Sequence, residues 1–185
     1  MAAAQKKKAS KQAPKQQDIT KQVFSTLSVI GAIVLVGVGI LALWAHNFTT
    51  SMVHNELAAQ KIYFPEKGSA GFDAETYPDL QQYAGQLLDT PEKAKAYANG
   101  YIGRHLEKIA GGKVYAEVST AAKLDPTNEK LAAQKESLFQ GETLRGMLLT
   151  SGYGFGTVGK IAGIAAVVSF IGALGLFCTG FVLRK

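Results

Sequence analysis

The sequence predicts an all-α fold in which two transmembrane helices bracket a helical extracytoplasmic domain. Two uncharged runs, residues 23–45 and 161–183, are each 23 residues long, and about 20 apolar residues suffice for a helix to cross the hydrocarbon core. Between the runs, apolar residues recur mostly at helical spacing, and Pro or Gly marks the breaks.

The first apolar run also has the basic flank of a secretory signal. However, 23 residues exceed the usual apolar core of about 7 to 15, and Leu43 stands where cleavage after Ala45 would need a small residue. We therefore predict a permanent membrane helix.

Residues 1–22 are rich in Ala, Lys and Gln and nearly lack large apolar side chains. Such a segment buries too little surface to offset its ordering entropy, which predicts a disordered basic tail. Six lysines oppose one acid there, and the sequence ends with two bases at 184–185. The positive-inside rule places both tails in the cytoplasm. Their charge indicates anionic membrane lipid as a partner, not nucleic acid.

Residues 46–160 are predicted to form the extracytoplasmic domain. Its clearest helix is 91–110, because Thr-Pro-Glu at 90–92 supplies a cap, a first-turn Pro and an acid, and Gly-Gly at 111–112 ends the apolar stripe. Further helices are predicted at 77–88, at 114–124 and from about 127 into the second span.

Glycines at the start of the second span match the spacing of two nucleotide-binding motifs. Gly154, Gly156 and Gly159 fit G-x-G-x-x-G, and residues 154–160 fit most of a P-loop. Both motifs need a preceding strand, and the P-loop needs Ser or Thr where Ile161 stands. Neither a nucleotide nor another cofactor is expected.

Small residues recur every three or four positions on both apolar segments, which allows helix backbones to approach closely in lipid. These faces would pack either on each other or on another protein, and the sequence leaves both open. The predicted packing residues are Gly152, Gly156, Gly159, Gly163 and Ala166 on the second segment and Ser28, Ala32 and Gly39 on the first.

Lys160 is the cation at the start of the second span. Because a charge at the bilayer centre costs about 2.5 to 3.5 kcal/mol on insertion scales, we expect Lys160 at the outer headgroup level. Trp44, Tyr153 and Phe155 would form an aromatic belt at the same level. The apolar residues 147–159 are then either interfacial or covered by another protein.

The sequence offers no grouping typical of an enzyme. Cys178 is the single cysteine, so neither an internal disulfide nor a cysteine zinc site is possible. The histidines lack metal-binding spacing. An iron site of His54, His105 and Glu107 can be proposed, but any helical domain with scattered acids allows such a ligand set. We predict no catalytic and no metal-binding residues.

Four stretches resemble a family of small two-span membrane proteins of actinobacteria: AKAYA at 94–98, Ile102 to His105, AGGK at 110–113 and GETLRGMLL at 141–149. The resemblance covers most of residues 25–183. Members are often described as hypothetical, and similar proteins are sometimes labelled aromatic ring-opening dioxygenases. The resemblance implies an actinobacterial cell membrane and no established chemistry, so no catalytic residue is carried over.

Together these features predict a non-enzymatic integral protein of the cell membrane, an accessory, assembly or stabilising subunit of a cell-envelope complex. Its expected partners are membrane lipid and either another membrane protein or further copies of itself. The alternative is an extracytoplasmic sensor or ligand-binding module that acts through a partner, since many bacterial receptors place an outer domain between two spans.

Overall fold

The computed structural model describes the backbone of residues 2–184 and the side chains of residues 16–184. This part of the chain is all-helical and contains no strand, as the sequence predicts. It divides into two compact units, Met1–His46 with Ile161–Lys185, and Asn47–Lys160. The α-helices are α1 Ala2–Ala59, α2 Pro91–Lys95, α3 Arg104–Ala110, α4 Tyr115–Leu124, α5 Glu129–Met147 and α6 Phe155–Arg184.

Two helical stretches, Gln16–Ala59 and Glu129–Arg184, are long and apolar enough to cross a membrane. The backbone of residues 2–22 is helical, whereas the sequence analysis expects a disordered tail there. Ala, Lys and Gln all favour helix, and residues added to an existing helix avoid the nucleation penalty. Met1, Lys185 and the side chains of the lysines at 6–15 lie outside the described residues.

In the first unit, α1 and α6 pack against each other in antiparallel directions. The Ser25 hydroxyl, which is 1% exposed, donates a hydrogen bond of 2.7 Å to the carbonyl of Gly180. Further along the pair, a Cβ added at Gly39 would lie 2.8 Å from Cε1 of Phe170. These contacts hold the two backbones close together.

In the second unit, the predicted helix over 91–110 is confirmed at both ends. The Thr90 side chain accepts a hydrogen bond from the Lys93 amide at 3.3 Å, and Gly111 ends the helix with a left-handed φ of 61°. Between α2 and α3 the helix widens to a π-helix over Ala96–Gly103, the first π segment. No sequence signal predicts this widening.

The helices predicted at 114–124 and from about 127 onwards are also confirmed. The Glu117 carboxylate accepts a hydrogen bond from the Val114 amide at 2.9 Å, which caps α4. The last helix continues from α5 through a π-helix over Leu148–Gly154, the second π segment, into α6.

The helix predicted over 77–88 is wrong. Only a 3-10 turn forms there, at Gln81–Tyr83. Residues 84–85 form a turn, Leu87 makes an isolated antiparallel bridge with Tyr63, and the Leu88 amide donates to the Ile62 carbonyl at 2.8 Å. Gly85, with a φ of 68°, turns the chain in a way that an α-helix does not permit.

Two groups of apolar residues fill the second unit, and Tyr97 and Tyr101 border both. The loop between α1 and α2 buries the aromatic group, so it is anchored despite having little regular structure. That group is Phe64, Phe72, Tyr77 and Leu80, and the larger group is Val53, Leu57, Leu88, Ala94, Ala98, Ile102, Leu106, Ala110, Val118, Leu138 and Leu148.

Candidate functional site

The glycines before the second apolar run, 161–183, contact other residues of the second unit. A Cβ added at Gly152 would lie 2.8 Å from the Ala94 side chain, and one at Gly156 would overlap the Pro91 ring. Gly152 and Gly156 therefore let α2 pack directly on the helical run that contains these two glycines. Gly159 approaches α1 in the same way, since its Cβ would lie 3.1 Å from Thr49.

The remaining small residues lie in the first unit and are covered there. A Cβ added at Gly163 would lie 2.9 Å from the His46 ring. Ala166 is 2% exposed and Ala32 is 5% exposed, and Ser28 lies close to Gly180. Within each unit, side chains of this chain therefore lie against the small residues named above.

Lys160 forms an ion pair with Glu92 in the first turn of α2. The hydrogen bond from the Lys160 ammonium lowers the pKa of Glu92 below its ordinary value. Both side chains remain about half exposed, at 58% and 50%, so the pair is open to solvent screening.

The predicted belt residues differ in their surroundings. The Tyr153 hydroxyl lies 3.3 Å from Nζ of Lys95, and that ammonium is 4.6 Å from the ring centroid of Tyr153. Trp44 and Phe155 expose 65% and 46% of their surfaces. Tyr153 therefore contacts Lys95 within the second unit, while Trp44 and Phe155 keep large exposed surfaces.

A cavity of about 610 Å³ in the second unit combines apolar walls with exposed apolar rims. It lies between the end of α1 and the helical run that contains the second π segment. We call it the methionine groove. It is lined by Met52, Val53, Glu56, Leu57, Gln60, Met147, Leu148, Thr150, Ser151, Gly152 and Phe155.

The floor of the methionine groove belongs to the core, and its rim does not. Leu57 and Leu148 are buried, at 4% and 1% exposure. Met147 and Phe155 on the rim are 63% and 46% exposed. The second π segment forms part of the wall, and π-helical turns are frequent at functional sites.

The charge within the groove comes from Glu56. Its carboxylate forms no ion pair with the other residues whose side chains the structure describes. Glu56 is exposed, and its carboxylate would attract a positive charge that enters the groove. The groove is thus suited to an apolar occupant that carries a positive charge.

The histidines of the second unit have local partners. Nδ1 of His54 lies 3.1 Å from the carbonyl of Asp89, and the His105 ring stacks on Tyr101 with centroids 6.4 Å apart. Among residues 16–184 no three His, Cys, Asp or Glu side chains come together in a group suited to a metal ion.

The methionine groove was not predicted from the sequence. Its signal was present in the apolar residues 147–159, but the opposite wall comes from α1, almost a hundred positions earlier. No protein-family model matches the chain, and searches of the curated proteins and of the solved structures gave no match.

Proposed function

We propose that this protein is a non-enzymatic accessory subunit of a membrane complex, and that its methionine groove receives a helix of a partner membrane protein. Its two apolar stretches cross the cell membrane, both termini lie in the cytoplasm, and residues 46–160 lie outside. Membrane lipid surrounds the spans. Nucleotides and nucleic acid have no part in this role.

The observation that carries the proposal is the exposed apolar rim of the groove. Met147 and Phe155 expose large apolar surfaces beside the buried Leu57 and Leu148. Removing apolar surface from water contributes about 25 cal/mol per Å², so a partner that covers the rim gains affinity. Methionine is flexible and polarisable, which suits it to an interface that must fit another helix.

The groove supports this role better than the small-residue faces do. Gly156 and Gly159 meet Pro91 and Thr49 of the second unit, and Gly39 meets Phe170 of the first. Those faces are already occupied by the chain itself. A partner therefore needs another surface, and the rim at Met147 and Phe155 offers one.

The expected occupant is a helix with an apolar stripe and one basic residue. Helices that bind in grooves insert side chains spaced three or four residues apart, and a base on that stripe would pair with Glu56. Met52 follows Ala45 by seven positions and Phe155 precedes Ile161 by six. Both walls are thus close in sequence to a predicted span, which favours a partner helix that itself continues into the membrane.

Purification from native membranes in a mild detergent tests the proposal. Met147→Glu places a charge on the rim and should remove a stoichiometric companion protein, whereas Leu124→Glu should not. Leu124 is a matched control because it is 84% exposed and does not line the groove. Unchanged circular dichroism of both variants shows that they fold.

Two results would count against a docking role. One is a wild-type protein that purifies without any companion. The other is a companion that Met147→Glu retains to the same extent as Leu124→Glu.

A further inference from the structure

A second cavity in the second unit is polar and lies apart from the methionine groove. Its volume is about 330 Å³, within the range of roughly 300 to 1,000 Å³ that small-molecule sites occupy. We call it the polar cavity. Its polar lining is Asn99, Arg104, Glu107, Lys113, Glu142 and Arg145.

Two of its cations are already neutralised by acids. An Arg104 guanidinium nitrogen lies 2.7 Å from a carboxylate oxygen of Asp79. The Arg145 guanidinium donates to both carboxylate oxygens of Glu142, at 2.9 and 3.0 Å. These pairs fix the positions of the walls and add little net charge.

Lys113 and Glu107 are the remaining charges on the cavity lining. Neither forms an ion pair with the other, or with any side chain among residues 16–184. The cavity therefore presents one free ammonium and one free carboxylate. A ligand that satisfies both must itself carry a negative and a positive charge.

Hydrogen-bond donors that lack acceptors among the described residues add to the cavity's preference for a carboxylate on the ligand. Nε of Arg145 is buried and has no acceptor among residues 16–184. The Asn99 side-chain oxygen accepts from Arg145 at 3.2 Å, which leaves the Asn99 amide NH₂ to donate elsewhere. A carboxylate that enters near Asn99 and Lys113 would meet donors from two side chains.

Apolar side chains form another part of the lining. Leu106 and Leu138 are buried, at 4% and 2% exposure, and Val114 is 60% exposed. An aliphatic group on the ligand would contact them. Asn99 and Gly103 come from the first π segment, and π-helical turns frequently mark functional sites.

We infer that the polar cavity binds a free α-amino acid with an aliphatic side chain. Lys113 and Asn99 hold the ligand carboxylate, and Glu107 holds its ammonium group. Leu106 and Leu138 contact the aliphatic side chain. This inference goes beyond the accessory role, and it uses none of the residues of the methionine groove.

Calorimetric titration of the full-length protein in detergent tests the inference with L-leucine as the probe. Two analogues provide the comparison: 4-methylvalerate lacks the ammonium group, and isoamylamine lacks the carboxylate. We expect L-leucine to bind about tenfold or more tightly than either analogue, because each analogue forfeits one charge contact.

Substitutions at the two free charges sharpen the test. Lys113→Gln should reduce the preference for L-leucine over isoamylamine, and Glu107→Gln should reduce its preference over 4-methylvalerate. Lys123→Gln is the control, because Lys123 is an exposed lysine of α4 that does not line the cavity. It should bind L-leucine as the wild type does.

Any of three results would overturn the inference. These are no heat from L-leucine up to about 10 mM, equal binding of the two analogues and L-leucine, and unchanged preferences in both charge variants. Met147→Glu should bind L-leucine normally, so a failed accessory role and a failed amino-acid site give different results.

Discussion

Gly156→Ala is the most informative single change to the helical run that leads into the second apolar stretch. A methyl group at this position overlaps the Pro91 ring and would lie 2.7 Å from Cβ of Pro91. The proline ring has a fixed φ and no rotamer that moves it aside. Relief therefore requires α2 to move away from the run as a unit.

The size of the effect follows from two opposing contributions. Replacing a helical Gly by Ala gains up to about 1 kcal/mol of helix stability. Overpacking a closely fitted contact costs about 1 to 3 kcal/mol, and we expect the upper end because α2 also contacts the run at Gly152 through Ala94. The free energy of unfolding should fall by about 2 kcal/mol, or Tm by roughly 4 to 8 °C.

Near-ultraviolet circular dichroism of tyrosine provides the assay. All seven tyrosines lie between residues 63 and 153, within the second unit. Their signal therefore reports the tertiary packing of that unit on heating. The matched control is Gly146→Ala, where no described residue outside the local helix backbone lies within 4 Å of the added Cβ.

Gly146→Ala should raise Tm by roughly 2 to 4 °C, since it gains helix propensity without a clash. If Gly156→Ala raised Tm by as much as Gly146→Ala, the close contact between Pro91 and Gly156 would be absent, and the packing described here would be refuted.

Two further predictions concern polar contacts. The lowered pKa of Glu92 means that its pair with Lys160 stabilises the fold above the ordinary value of 4.5 and loses this effect as pH falls through the lowered value. Lys160→Gln should therefore lower the free energy of unfolding at about pH 7 by roughly 0.2 to 1 kcal/mol, the contribution of an exposed pair, and so lower Tm slightly. It should have no effect well below pH 4.5. An equal effect at both pH values contradicts this assignment. Ser25→Ala should destabilise the first unit by about 0.6 to 1.7 kcal/mol. Trp44 fluorescence during denaturation in sodium dodecyl sulfate measures this loss. The control Thr26→Ala removes a hydrogen bond to the Gln22 carbonyl of the same helix, and it should lower the stability of the first unit less.

The helix ends were predictable where local chemistry determines them. Thr90 with Pro91 starts α2, and Gly111 closes α3 in the left-handed conformation that glycine adopts most easily. The run from α5 into α6 followed from the absence of proline after Pro126. These signals lie within a few residues of the feature that they specify.

The features that the sequence did not predict depend on distant contacts. Residues 77–88 have a helical pattern, but Leu88 pairs with Ile62 and Leu87 makes an isolated bridge with Tyr63. Gly156 was placed on a packing face, yet only the fold supplies Pro91 as its neighbour. The methionine groove and the polar cavity each join segments that are far apart in the sequence.

The docking role is tested most directly by a photoreactive benzophenone amino acid at Met147, irradiated in native membranes. Mass spectrometry then identifies the crosslinked peptide. The account predicts one partner peptide, an apolar helical segment with a Lys or Arg, and its loss when Glu56→Lys is added. Crosslinks to lipid alone, to a second copy of this chain, or equally from the exposed Leu124 position would contradict it.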